Sequence, residues 1–305
     1  MSNDGRAISR ARRRDVLARA LGEDIAHALD DPSVVEVLVN ADGRLWVERV
    51  GEGMRAVQRT LSSDAREAII RLLAHEANAL VSDQSPALST KLPSSGARVQ
   101  ALLPPLVEAP VLAIRKRPDA IYRLTDYLAQ GIATSAQVKT LAEAVARRRN
   151  LVVAGGTGSG KTTLLNALLA EPAFAQARVI LLEDTAELQC QSPNRVQLLT
   201  NPPSIDMRAL VQMTMRLRPD RIVVGEVRDG AALEVLKAWN TGHPGGLLTV
   251  HANSAADALV RLEDLAGEAS VSSTARLVAQ AIELVVFMQR TASGRAIAEI
   301  IDLTR

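Results

Sequence analysis

The stretch Gly155-Gly156-Thr157-Gly158-Ser159-Gly160-Lys161-Thr162-Thr163 is the strongest indication of the fold of the second half of this chain. Apolar runs at residues 151–154 and 164–169 stand directly before and after it. A strand, a glycine-rich loop and a helix in this order are the context that a phosphate-binding loop requires. Glycines let backbone N–H groups turn toward an anion, and the helix N-terminus adds its positive dipole end. With both flanks in place, the sequence predicts a phosphate site over residues 155–163, in preference to an incidental glycine-rich turn.

The last polar residues of this loop have separate predicted roles. Lys161 can reach the terminal phosphates of a nucleotide, and the Thr162 hydroxyl can hold Mg²⁺. The sequence therefore predicts a nucleoside triphosphate and Mg²⁺ as ligands of this loop.

The composition narrows the class of protein. A chain of 305 residues corresponds to one or two domains, and 47% hydrophobic residues are ample for a packed core. A net charge of +2 and only 2% aromatic residues argue against direct, specific nucleic-acid binding. The single cysteine, Cys190, excludes an internal disulfide and a multi-cysteine zinc site.

The N-terminus bears on where the protein works. No apolar run reaches the roughly 18–20 residues that span a bilayer, and the charged N-terminus lacks a signal core. We therefore expect a cytoplasmic protein whose membrane contact, if it has one, is peripheral. The six arginines between Arg6 and Arg19 have two interpretations, a solvated helix face or a contact with an anionic membrane surface.

Changes in periodicity divide the chain into three parts. Residues 1–118 alternate helical and strand patterns and predict a smaller α+β domain. Residues 119–134 look like a linker, and residues 135–305 predict an α/β domain with a mostly parallel sheet. Short apolar strands between helices carry this last prediction; they lie at residues 151–154, 179–182, 196–199, 221–225 and 247–250.

Two acids follow predicted strands of the second domain. Ligands of open α/β sheets lie at the carboxyl ends of the strands, which is where Glu183 and Glu226 stand. A carboxylate at such a strand end orders Mg²⁺ or orients the attacking water. Glu226 fits this role best and Glu183 is the second candidate, so both are predicted metal-site and catalytic residues. Taken singly, each acid fits equally well as an ordinary helix N-terminal carboxylate, and the choice of base between the two stays open.

His251 follows another predicted strand. A lone histidine in this position is more often a satisfied core residue. The glycine-rich turn at residues 241–246 and the neighbouring phosphate loop favour a hydrogen bond to the γ-phosphate or its water. His251 is therefore predicted to be catalytic.

Four segments in fixed order carry a resemblance to a known family. Residues 155–163, 183–188, 216–228 and 241–253 resemble the Walker A, Asp, Walker B and His boxes of secretion traffic ATPases. Within that superfamily the chain resembles the TrbB-type conjugal-transfer ATPases of type IV secretion systems. The ten residues 237–246 favour this branch over the alternative, a tight-adherence or type IV pilus assembly ATPase. The absence of a four-cysteine insertion speaks against the type II secretion branch.

The resemblance implies more than the residues alone do. It implies a RecA-like P-loop ATPase domain, a homo-hexamer that hydrolyses ATP with Mg²⁺, and docking on inner-membrane components of the secretion channel. It also implies that Arg98 and Arg115, in the first domain, reach the nucleotide; the alternative is that both are solvated strand arginines. Tyr122 and Tyr127 are candidates for stacking on the base, although packing is the simpler role for either. A nucleic-acid motor and a slowly hydrolysing nucleotide-gated scaffold are the rival classes.

Overall fold

The computed structural model describes residues 3–50, 52–116, 121–291 and 294–304. The chain divides into two compact units, Met1–Asp119 and Ala120–Arg305. No helix within the described ranges is long and apolar enough to cross a membrane. Of the N-terminal arginines, Arg19 is exposed, and the side chains of the other five fall outside the described part.

The first unit is a six-stranded antiparallel sheet with two helices. The strand order is β3-β2-β1-β6-β5-β4. Helix α2 begins after Ser62, whose hydroxyl accepts from the backbone N–H of Ala65 and so satisfies one of the free donors of the first turn. Ile25, Ile70 and Ile114 are fully buried in the shared core. The elements are α1 (Asn3–Asp30), β1 (Val34–Val39), β2 (Arg44–Arg49), β3 (Gly53–Thr60), α2 (Ser63–Glu76), β4 (Ala87–Lys91), β5 (Arg98–Leu102) and β6 (Val111–Arg115).

The second unit is a seven-stranded sheet covered on both faces, so the prediction of an α/β fold is confirmed. The strand order is β13-β12-β7-β11-β10-β8-β9; all pairs are parallel except β12 with β13. Successive residues of a strand face opposite sides, so Val152 and Val153 enter two different cores. The strands are β7 (Leu151–Gly155), β8 (Val179–Glu183), β9 (Arg195–Leu199), β10 (Arg221–Val224), β11 (Leu247–Val250), β12 (Leu284–Thr291) and β13 (Gly294–Asp302).

Eight helices within the described ranges flank this sheet. They are α3 (Leu124–Ala129), α4 (Ser135–Ala146), α5 (Lys161–Leu169), α6 (Pro172–Ala175), α7 (Met207–Thr214), α8 (Ala231–Asn240), α9 (Ala255–Gly267) and α10 (Ala275–Ala281). Periodicity predicts helices at residues 135–149, 161–169, 207–217, 230–241, 255–265 and 274–283, and α4, α5, α7, α8, α9 and α10 lie there. A helix predicted at residues 64–80 ends earlier, at Glu76, and the strands β3 and β4 are not predicted.

The predicted linker at residues 119–134 differs from what is found. Helix α3 lies inside it, and Leu124, Tyr127 and Ala133 are buried in the core that packs under β7. Most of this segment thus belongs to the second unit, because its apolar residues complete that unit's core. The predicted boundary at residue 118 falls within 117–120, outside the described residues.

The parallel register aligns the strand ends that the sequence singles out. Ala154 pairs with Val250, and Leu248 pairs with Val224. Val224 pairs in turn with Leu182. The residues that follow β7, β11, β10 and β8 therefore emerge along one edge of the sheet.

Candidate functional site

Backbone conformation explains the glycines of the loop between β7 and α5. Gly158 and Gly160 have φ values of 72° and 96°, in the left-handed region that favours glycine. Gly160 is the N-cap of α5, and a Cβ atom at Gly155 would lie 2.4 Å from the Met288 carbonyl oxygen. The loop can therefore adopt this shape only with glycine at these positions.

Lys161 is the first residue of α5 and is buried. Its Nζ donates to the carbonyl oxygens of Gly155 (2.9 Å) and Gly156 (3.0 Å). The same Nζ lies 3.3 Å from Nδ1 of His251. The structure thus holds a fixed cation at the mouth of the loop, beside the end of β11.

Glu226 is held between two neighbouring strands. The backbone N–H of Gly225 donates to Leu182 (2.8 Å), and that of Val227 donates to Thr249 (3.0 Å). These bonds fix the residues on either side of Glu226. Its carboxylate is therefore presented at the same edge of the sheet as the loop.

A chain of charged and polar groups joins Lys161 to Glu226. His251 Nε2 lies 2.8 Å from Glu226 Oε1, although the ring is not aligned to donate a straight hydrogen bond. Arg228 donates to the other oxygen, Oε2, through Nε at 2.8 Å and through Nη2. Nη1 of Arg228 lies 3.8 Å from Asp184. Three strand ends thus meet in one polar network. Arg228 belongs to it, although the sequence pattern predicts no role for this residue.

The charge state of His251 follows from its neighbours. Burial and the adjacent Lys161 ammonium lower the pKa of His251, against the opposing effect of Glu226. The ring is therefore neutral near pH 7. Because an ammonium can only donate, Nδ1 accepts from Lys161, and the ring proton resides on Nε2, on the side of Glu226. His251 is half exposed, so the interpretation as a buried core histidine does not describe it.

Glu183 is placed differently from the other acid. It is buried, and Oε1 accepts from the backbone N–H groups of Glu187 (2.7 Å) and Leu188 (2.8 Å). Gln197 Nε2 donates to Oε2 at 2.5 Å. Burial raises the pKa of Glu183, while these hydrogen bonds act in the opposite direction. Oε1 holds the loop after β8 and Oε2 is bound by Gln197 of β9, so this geometry fits a positioning residue better than the predicted metal ligand or base.

The donor set at the loop fits Mg²⁺. Oε1 of Glu226 is a buried carboxylate oxygen that receives no well-directed hydrogen bond, and Thr162 stands half-buried in the first turn of α5. No group of three or more His, Cys, Asp or Glu residues in the described ranges could hold a metal by itself. Mg²⁺ typically takes one or two protein oxygens and completes its shell with phosphates and water. A hydroxyl and a carboxylate beside a phosphate loop therefore suit it.

Arg98 and Arg115 lie in the first unit. They face each other directly on β5 and β6, and Lys91 and Glu36 are the next partners on either side. Directly opposed residues project from the same face of a sheet. The two arginines are thus brought together on one face, and their contact with nucleotide stays a prediction.

Both tyrosines pack against the apolar core of the second unit. Tyr127 is 3% exposed within this core, and Tyr122 packs against the same cluster, so both have the packing role.

The C-terminal hairpin also reaches the phosphate loop. Arg290 and Arg295, on β12 and β13, lie beside Gly158 and Gly160. No local pattern predicts this proximity, because Arg295 and Gly158 are 137 positions apart in the sequence.

Comparison with known proteins agrees with this fold. The model of the type II/IV secretion system protein family matches residues 20–294. The chain belongs to this family.

Individual relatives and solved structures are similar over most of the chain. The conjugal transfer protein TrbB of Rhizobium radiobacter is 46% identical over 289 residues, which are 94% of this chain and 89% of that protein. This confirms the resemblance to TrbB-type proteins. The crystal structure of the VirB11 ATPase from the Brucella suis type IV secretion system is 28% identical, has a TM-score of 0.52 and covers 98% of this chain and 96% of its own. The ATPase DotB of Legionella pneumophila shares the fold, with a TM-score of 0.67, 21% identity and coverage of 92% and 80%.

Proposed function

We propose that this protein is a Mg²⁺-dependent ATP hydrolase that powers assembly of, or substrate transfer through, a conjugative type IV secretion system. The observation that carries the proposal is the Lys161–His251–Glu226 chain, which links the phosphate loop to two further strand ends. A polar chain of this kind lets the site respond to a phosphate in the loop. The similarity to TrbB supports the conjugative role.

Each residue of the site has its own role in the proposed ATP hydrolysis. Lys161 and the loop N–H groups neutralise the β- and γ-phosphates, and Thr162 and Glu226 hold Mg²⁺. Bound Mg²⁺ supplies a Lewis acid that offsets charge on the transferring phosphoryl group. Glu226 orients the attacking water, and the Nε2 proton of His251 reports on the γ-phosphate. Glu183 supports this edge by fixing the loop after β8.

The assembly belongs to the same proposal. The strand β7, which precedes the phosphate loop, lies between β12 and β11, and β11 separates it from β10. This strand order supports a RecA-like domain. We propose a cytoplasmic homo-hexamer that docks peripherally on inner-membrane components of the secretion channel. Arg98 and Arg115 reach the nucleotide there, and the cargo contacts of the ring do not involve sequence-specific nucleic-acid binding.

The function is tested by replacing the resident gene with a Glu226→Gln variant. A carboxylate that positions or activates water contributes roughly 10²–10⁴-fold to rate, so Mg²⁺-ATP hydrolysis and plasmid transfer to recipient cells should fall together. Glu268→Gln, an exposed acid at the end of α9, is the matched control and should change neither. Normal transfer with loss of surface pili unrelated to mating would contradict the conjugative role and favour a pilus assembly ATPase.

His251→Ala should lower kcat with little change in nucleotide affinity. A hydrogen bond to a charged group is worth about 10- to 150-fold when it forms only in the transition state. The substitution also removes the link between Lys161 and Glu226, so ATP- and ADP-bound states should become harder to distinguish by protease sensitivity. Steady-state kinetics and nucleotide titrations of the purified variant measure both effects. A lowered Tm with unchanged kcat per folded protein would show that His251 is merely structural.

A further inference from the structure

The C-terminal hairpin β12–β13 runs alongside the phosphate loop. Met288 of β12 pairs in parallel register with Gly155, the last residue of β7. β12 continues to Thr291. Arg290 stands two residues beyond the last paired position, or about 7 Å further along the strand. The hairpin therefore extends past the end of β7 on the loop side.

Arg295 of β13 contacts the loop directly. Its Nε donates to the carbonyl oxygen of Gly158 at 3.2 Å. Its Cδ would lie 3.0 Å from a Cβ atom placed at Gly160, so the arginine stem covers the residue that caps α5. Arg295 thus contacts Gly158 and Gly160 and helps to fix the direction in which the loop N–H groups point.

Arg290 brings a second cation to the same place. It pairs directly with Arg295 across the hairpin, and its Nη1 would lie 4.0 Å from a Cβ atom at Gly158. Both side chains are exposed, so a ligand can reach them. Guanidinium groups are suited to bind phosphate oxygens.

We propose that Arg290 and Arg295 form a second cationic wall of the nucleotide site, which binds the polyphosphate. Arg295 also acts as a positioning residue through Gly158 and Gly160. The proposal rests on the proposed ATPase function, because it concerns the ligand of the same loop. The proposal adds the hairpin β12–β13 to the site. This hairpin lies far along the chain from the phosphate loop and from the ends of β8, β10 and β11.

The test compares Arg290→Gln and Arg295→Gln with the unmodified full-length protein. We expect each variant to bind ATP and inorganic tripolyphosphate about tenfold more weakly, since a charge-assisted contact is commonly worth that much. The dependence of Kd on salt concentration should flatten, because one ionic contact is lost. Arg295→Lys keeps the charge but lacks the Nε donor, and should recover only part of the affinity. Arg276→Gln, an exposed arginine on α10, is the control and should leave Kd unchanged.

Three outcomes would overturn the proposal. Unchanged Kd with a lowered Tm would show that the hairpin arginines only support the fold. Weaker ATP binding with normal tripolyphosphate binding would assign them to the base or ribose. Unchanged Kd and Tm would mean that they are solvated. None of these outcomes depends on ATP turnover. If the arginine variants bind normally while Lys161→Ala loses ATP hydrolysis, this inference is rejected and the proposed function still stands.

Discussion

Replacing Lys161 with alanine is expected to abolish ATP turnover. Nζ of Lys161 lies at the mouth of the loop, held by the carbonyl oxygens of Gly155 and Gly156 and beside Nδ1 of His251. Charge that develops on the phosphoryl oxygens would lose its nearest fixed cation, and one preorganised electrostatic partner is typically worth roughly 10²–10³-fold or more in rate.

Phosphate release from ATP measures this effect, with circular dichroism and Tm to establish that the variant is folded. Lys139→Ala is the matched control, because Lys139 is a solvated lysine on α4, with a side chain that is 78% exposed. We expect normal turnover from the control. Near-normal kcat in Lys161→Ala would remove the loop from the catalytic site. Loss of activity accompanied by unfolding would be resolved with Lys161→Arg, which keeps the charge but moves its position.

Removing both Arg98 and Arg115 is also expected to cause a large loss of ATP turnover. The pair stands side by side on β5 and β6 in the first unit. In related chemistry an arginine inserted opposite the phosphate loop contributes roughly 10³–10⁵-fold in kcat; a site shared between subunits depends on it less. The double variant Arg98→Gln, Arg115→Gln should therefore lose most of its turnover while it still binds nucleotide through its intact loop. Arg55→Gln, at an exposed strand arginine of the same unit, should behave normally.

Mixing variants tests whether neighbouring subunits share the site. Lys161→Ala subunits supply intact arginines, and the arginine double variant supplies an intact loop. A mixture should recover part of the normal activity, because some interfaces then combine an intact loop with intact arginines. Specific activity should also fall on dilution as assemblies dissociate. Inactive mixtures, or constant activity down to a verified monomer, would contradict a shared site.

The fold of the second unit was largely readable from the sequence. The apolar strand, glycine loop and helix were predicted where β7 and α5 are found, because local backbone requirements alone specify them. Periodicity also predicted most of the parallel strands and the helices between them. It failed for α3, whose short apolar stretch resembles a linker until the core that buries Leu124 is known. The strand β3 was missed because most of its residues are exposed and carry no clear alternation.

The two acids show which features of the site follow from local residue patterns and which depend on the folded chain. The sequence determined that a phosphate loop, two strand-end carboxylates and a strand-end histidine exist, since each is a local pattern of residue types. It did not distinguish Glu183 from Glu226, because the difference lies in their partners. Loop N–H groups and Gln197 occupy the oxygens of Glu183, whereas Glu226 reaches His251 and Arg228.

Sheet order decided the rest of the site. The parallel register of β7, β11 and β10 brings Lys161, His251 and Glu226 to one edge, although Lys161 and His251 are 90 positions apart in the sequence. The pairing of β12 with β7 places Arg290 and Arg295 beside the loop in the same way. Such contacts depend on which strands become neighbours. That choice is made by the burial of both faces of the whole sheet and is not encoded in any single segment.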